Sequence, residues 1–172
     1  AAQRIGQFEV AMGHYKQALR ALENDGGDPS DIIHCRLMIA ETKVSLNKMQ
    51  DAKADYQEIL EASRNPPTMN RNTESQVLAK LFQVGVISSR YISLEDKQRE
   101  SLPLLLESID IQEHLSAEGE GDWELLLALL RKLEAVYEVL GEEDKASETN
   151  KRWKDLPFDP ENFNLHPNSP TT

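Results

Sequence analysis

Apolar side chains recur at helical spacing near the start of the chain. They are Phe8, Ala11, Tyr15, Ala18 and Leu19. At 3.6 residues per turn these five positions fall on one face of a helix. The two alanines lie between larger neighbours, and small side chains let a second helix approach closely. The pattern predicts a helix over 7–23 that packs against another helix, with a turn at Gly6 before it.

The same spacing returns later in the chain. Its members are Met49, Ala52, Tyr56, Ile59 and Leu60. Ala52 follows Ala11 by 41 positions, so the two segments predict an internal repeat. Ile59 stands where the first segment has a small residue, which predicts either a wider helix spacing or a special neighbour there. One helical hairpin cannot bury its apolar faces alone, whereas stacked hairpins can.

Helix-breaking segments divide the first half of the chain. The stretch 24–29 separates the first helix from a second one, which either Asp28 or Ser30 caps. The polar stretch 65–72 contains two consecutive prolines and predicts an exposed loop. Thr73 and Gln76 then form the pattern of a capping box that opens an apolar helix.

The second half continues the alternation. Gly85 predicts a close helix crossing, and Ser93 with Asp96 predicts the cap of the following helix. Pro103 leaves two alternatives: a helix that begins near 102, or a longer, kinked helix that begins near 94, which is favoured. After 117–122 come a helix over 123–140, a turn glycine at 141 and a charged terminal helix from 142 to about 153.

These elements predict an all-α fold of about seven to eight antiparallel helices. The helical domain spans 1–155, with repeat boundaries near 28, 70 and 120. The segment 156–172 is rich in proline and predicts an extended tail. Three alternatives stay open for it: packing along the helices through Phe158 and Phe163, acting as a docking peptide, or a disordered end. The first residues read as the end of a helix, which suggests a fragment of a longer chain.

The repeated pattern resembles the tetratricopeptide repeat (TPR) family. The small–aromatic–small order of that family corresponds to Ala11, Tyr15 and Ala18, and a period beyond 34 residues is similar to its longer-helix branch, of which kinesin light chains are an example. The resemblance implies a right-handed solenoid of helical hairpins. It also implies that the first helix of each hairpin lines a concave groove that binds a peptide or helix of a partner protein.

Register with the second repeat selects the residues that face this implied groove. In the second helix they are His34, Leu37, Met38, Glu41, Val44 and Ser45, and in the last hairpin Ala128, Arg131, Lys132, Ala135 and Glu138. Leu37, Met38 and Val44 exposed together form an apolar patch of the kind found at interfaces, with coverage by a neighbouring segment as the alternative. Arg131 and Lys132 either clamp a carboxylate or stand as a solvated charge pair.

Composition and charge narrow the classes of function and partner that fit the chain. The net charge of −11 argues against nucleic acid and favours a basic or amphipathic protein partner. Cys35 is the only cysteine, so no internal disulfide can form and an intracellular location is favoured. No apolar run is long enough to insert into a membrane. The sequence offers no phosphate loop, no metal-ligand spacing and no catalytic constellation, so we expect no metal, no cofactor and no enzyme activity.

Two functional hypotheses follow. The first is a scaffold or adaptor that binds a peptide or helix in the concave groove. The second is a constitutive subunit module of a larger multiprotein complex. A degenerate third repeat favours it, in which Ser101, Leu105 and Ser108 take the small–large–small positions and Pro103 falls inside the segment.

Overall fold

The computed structural model describes residues 2–66, 68–88 and 93–157. Within these residues it contains seven α-helices and no strand. The helices are α1 (Ala2–Asp25), α2 (Pro29–Ser45), α3 (Met49–Arg64), α4 (Arg71–Ser88), α5 (Leu94–Ala117), α6 (Trp123–Val139) and α7 (Glu143–Lys154). The predicted all-α fold is therefore confirmed, whereas the tail from 158 onwards and its two phenylalanines lie outside the described residues.

The helices form two layers. Each helix packs mainly against the next one along the chain. Ion pairs also join alternate helices: Glu41 of α2 to Lys80 of α4 at 2.7 Å, and Arg64 of α3 to Glu107 of α5 at 2.5 Å. The even-numbered helices therefore share one layer and the odd-numbered helices share the other.

The repeated stripe of small and large residues is where the layers meet. In α3, Ala52, Tyr56 and Ile59 are 0%, 1% and 1% exposed. The equivalent stripes of α5 and α7 supply further buried side chains, namely Ser101, Leu105, Ser108 and Ala146. Apolar side chains of these stripes belong to two of the three apolar cores in the described residues, one shared by α2, α3 and α4 and one shared by α4 to α7; the third lies between α4 and α5. Small residues on the odd-numbered helices thus bring neighbouring helices close.

Several local predictions are confirmed. A Cβ atom added to Gly85 would lie 2.4 Å from Oγ of Ser101, so the glycine marks a close crossing of α4 and α5. Ser93 caps α5 by accepting a hydrogen bond from the backbone N–H of Asp96 at 3.1 Å. Pro103 lies inside α5, so the longer of the two alternative helices is the one that forms. Gly141 adopts a φ of 71° at the turn before α7.

Two local predictions are wrong. Gly6 lies inside α1 rather than at a turn, because a single glycine costs a helix only about 1 kcal/mol and nearby good helix formers offset this. The helix α4 begins two residues before Thr73, and Asn70 accepts the hydrogen bond from the backbone N–H of Thr73 at 2.9 Å. Both Thr73 and Asn70 are residue types that can cap a helix, and the loop geometry selects the earlier one.

Candidate functional site

A cavity of about 200 Å³ opens between α2 and α4. Three helices line it through Glu41, Val44, Ser45, Tyr56, Lys80, Gln83 and Val84. The even-numbered helices supply most of these residues, and Tyr56 reaches the cavity from α3. The apolar part of its wall is formed by Val44, Tyr56 and Val84, and four polar side chains form the rest. A mixed lining of this kind can hold a ligand side chain and fix its orientation.

Tyr56 forms a neutral wall of this cavity. Burial raises the pKa of its hydroxyl above the usual value, and the negative charges of Glu41 and Asp55 raise it further. The phenol therefore stays protonated at neutral pH. Glu41 is itself held by Lys80 across the cavity, in an ion pair whose two side chains are each about 40% exposed.

Lys132 extends the site from α4 to α6. Its ammonium lies 5.9 Å from the ring centroid of Phe82 on α4. Burial lowers the pKa of Lys132, and the nearby positive charge of Lys80 lowers it further. No acidic side chain in the described part of the chain forms an ion pair with Lys132. Two lysines thus lie close together on the face of the even-numbered helices.

Arg131 points elsewhere. Its guanidinium carbon lies 5.2 Å from the ring centroid of Trp153 on α7. Adjacent residues project about 100° apart on a helix, which is why Arg131 contacts α7 while Lys132 contacts α4. The structure therefore does not bring Arg131 and Lys132 together as a clamp.

The apolar residues predicted to line the groove are only partly available. Leu37, Met38 and Val44 are all half-buried, and Leu37 and Val44 pack against the core of α2 to α4. They do not form one exposed apolar patch, because this helix uses part of that face for its own packing. Val44 alone of the three also lines the cavity.

The polar candidates are more exposed. His34 and Ser45 are exposed on α2, and Glu41 is half-buried at the cavity. The remaining candidates on α6 are also exposed: Ala128, Ala135 and Glu138. The cavity therefore gathers Glu41, Val44 and Ser45, while the candidates on α6 lie outside it.

Sequence reasoning missed the contribution of α4. Lys80 and Gln83 line the cavity and were not among the predicted groove residues. They follow Glu41 and Val44 by 39 positions each, two fewer than the 41 positions that separate the first two repeat segments, so that register alone does not select them.

Other chemistry is sparse in the described residues. They contain no group of three or more His, Cys, Asp and Glu side chains that could hold a metal ion. Cys35 is a free, buried thiol. None of the helices in this part of the chain combines the length and the apolar character needed to cross a bilayer.

Comparisons with known proteins identify the architecture. No protein-family model matches the chain, and a search of characterised protein sequences finds no significant match. Among solved structures, the crystal structure of BtubC (BKLC) from P. vanneervenii superposes with a TM-score of 0.70 at 20% sequence identity. The match covers 97% of this chain and 63% of BtubC, so the chain spans less than two thirds of that relative. BtubC is a TPR-type repeat protein, and the chain described here has a TPR-like helical repeat fold.

Proposed function

We propose that this chain is a protein-interaction scaffold that binds a peptide or helix of a partner along its even-numbered helices. The observation that carries the proposal is the cavity of about 200 Å³ between α2 and α4, with the half-buried Lys132 beyond it. In TPR-like repeats the first helix of each hairpin lines the concave face, and here those helices are α2, α4 and α6. A groove of this kind fits a scaffold or adaptor better than an enzyme. We also propose an intracellular location, because Cys35 is the only cysteine of the chain.

The charges on this face narrow the chemistry of the segment that could bind there. Lys132 is partly desolvated and, among the described residues, has no acidic partner, so a carboxylate from a ligand would find an uncompensated cation there. The net charge of −11 favours a basic or amphipathic partner over the molecule as a whole. We therefore propose an amphipathic segment that places an apolar side chain in the cavity and an acidic group beside Lys132.

Selection of peptides tests this assignment. Random peptides displayed on phage are selected against the protein, and the affinity of the enriched peptides is measured by titration calorimetry. Ser45→Trp fills the mouth of the cavity and should abolish binding, whereas Ser147→Trp, on the exposed side of α7, should not. Lys132→Gln should weaken binding about tenfold, the effect of losing one hydrogen bond to a charged group. Lys151→Gln on α7 is its matched control.

A different outcome would reject the groove. If the enriched peptides bind Ser45→Trp as tightly as the wild type, the binding surface lies elsewhere on the molecule.

The second function, a constitutive subunit module, rests on a different observation. Ile5 and Val10 are 49% and 61% exposed on α1, at one edge of the stack. Apolar residues at an edge suit permanent docking to a neighbouring part of an assembly. Light scattering on the purified protein distinguishes the two functions, because a stable monomer favours the adaptor and concentration-dependent association favours the subunit.

A further inference from the structure

A second cavity, of about 220 Å³, opens on the opposite layer. It lies over α2, in the crevice between α1 and α3. Each of these three helices contributes one apolar side chain: Leu19, Ile39 and Ile59. Ile59 occupies the position where the first repeat segment has the small Ala18, and its side chain forms part of the crevice wall. We name this feature the α1–α3 crevice.

The size of the α1–α3 crevice suits a single side chain. An apolar cavity of about 150 Å³ in a protein interior accepts a benzene molecule. The crevice is larger and open to solvent, so it can accept a chain of four or five carbon atoms. Because Ile39 and Ile59 are buried, its floor is fixed by the core rather than by mobile side chains.

The rim of the α1–α3 crevice is charged. Arg36 donates to Glu23 of α1 at 3.0 Å, and Lys43 pairs with Asp55 of α3 at 2.5 Å. Within each of these two ion pairs the positive and the negative charge neutralise each other. Glu58 also lines the crevice and forms no ion pair with a basic side chain of the described residues. The rim therefore carries one unmatched negative charge above an apolar floor.

We infer that the α1–α3 crevice is a docking site for a basic side chain, lysine or arginine, of a partner protein. Such side chains combine an aliphatic stem with a cationic end. The stem would lie on Leu19, Ile39 and Ile59, and the cation would meet Glu58. An acidic side chain would be repelled by Glu58, and an uncharged one would leave that charge unmatched. This site lies on the odd-numbered layer and is independent of the groove proposed above.

Methyl-labelled NMR tests the inference. Probes are N-acetyl-lysine-N-methylamide and its norleucine analogue, which has a similar aliphatic stem and no charge. The lysine probe should shift the methyl signals of Ile39 and Ile59 in a saturable manner and bind more tightly than the norleucine probe. Glu58→Gln should weaken the lysine probe about 2- to 5-fold, the range of one exposed ion pair. Glu61→Gln, exposed on the same helix but outside the crevice, is the control and should have no effect.

Three results would overturn the inference: shifts that do not saturate, equal binding of the two probes, or unchanged binding in Glu58→Gln. Ser45→Trp separates this site from the groove of the even-numbered helices, because that variant should bind the lysine probe as the wild type does.

Discussion

Helices α1 and α3 carry the same stripe of residues in different surroundings. Ala52, Tyr56 and Ile59 of α3 are buried between α2 and α4. In α1, Ala11 and Tyr15 are half-buried and Ala18 is exposed. The difference lies in the neighbours, because α3 packs against a helix on each side, whereas in the described residues α1 packs mainly against α2.

The comparison shows what a residue pattern specifies. Small side chains at helical spacing give a face the capacity to pack closely, but they do not supply the helix that packs there. The stability that a stripe contributes depends on the apolar area that it removes from water. Two equal stripes with different neighbours therefore stabilise the protein unequally.

Truncation of the stripe tyrosines should show the largest contrast. Tyr56→Ala leaves a cavity in the core and should lower the free energy of unfolding by about 3–5 kcal/mol. Tyr15→Ala removes a half-buried side chain and should cost about 1 kcal/mol. Urea denaturation followed by circular dichroism measures both, and similar losses in the two variants would contradict the comparison.

Enlarging the stripe alanines should give a smaller contrast. Ala52→Leu enlarges a side chain that is 0% exposed and should destabilise the protein by about 1–3 kcal/mol through overpacking. Ala11→Leu adds the same volume at a half-buried position of α1, and we expect a change within about 0.5 kcal/mol. The midpoint of urea unfolding distinguishes the variants. A loss of comparable size in Ala11→Leu would mean that α1 is as closely packed as α3.

The burial of Tyr56 should change the free energy of unfolding at alkaline pH and leave it unchanged at neutral pH. The pKa of Tyr56 is raised in the folded protein by burial and by nearby negative charge. Between the ordinary tyrosine pKa of about 10 and this raised value, the unfolded chain loses a proton that the folded chain keeps. The free energy of unfolding therefore falls as pH rises above about 10 and is unaffected below it.

Tyr56→Phe should remove that part of the decline, and urea unfolding between pH 8 and 11 measures it. Tyr15→Phe controls for the loss of a hydroxyl. A pH dependence that is identical in the wild type and Tyr56→Phe would show that Tyr56 is not buried as described.

Sequence reasoning predicted the fold well because helix periodicity is a local property. The spacing of Ala52, Tyr56 and Ile59 identified a packed helix face, and Gly85 identified a close crossing. It failed at Gly6, because glycine permits a turn without requiring one. It also failed at Thr73, because Asn70 and Thr73 are both residue types that cap helices and only the loop geometry chooses between them.

The candidate site was less predictable. Lys80 and Gln83 lie two positions off the 41-residue register. Arg131 and Lys132 project in different directions from α6 and contact Trp153 and Phe82 on two other helices, which the sequence does not identify. The α1–α3 crevice is formed by side chains of three helices, and their relative placement is not a local property of the sequence. In the sequence, only the large residue at position 59 indicated an unusual helix spacing or neighbour there.

The central claim is that neighbouring helices, rather than the residue pattern, determine how firmly each stripe is held. Hydrogen–deuterium exchange of the free protein, read by mass spectrometry, tests it directly. We predict that backbone amides of α3 (49–64) exchange at least about tenfold more slowly than those of α1 (2–25), because opening α3 exposes more buried surface. Equal protection of the two helices would contradict the claim.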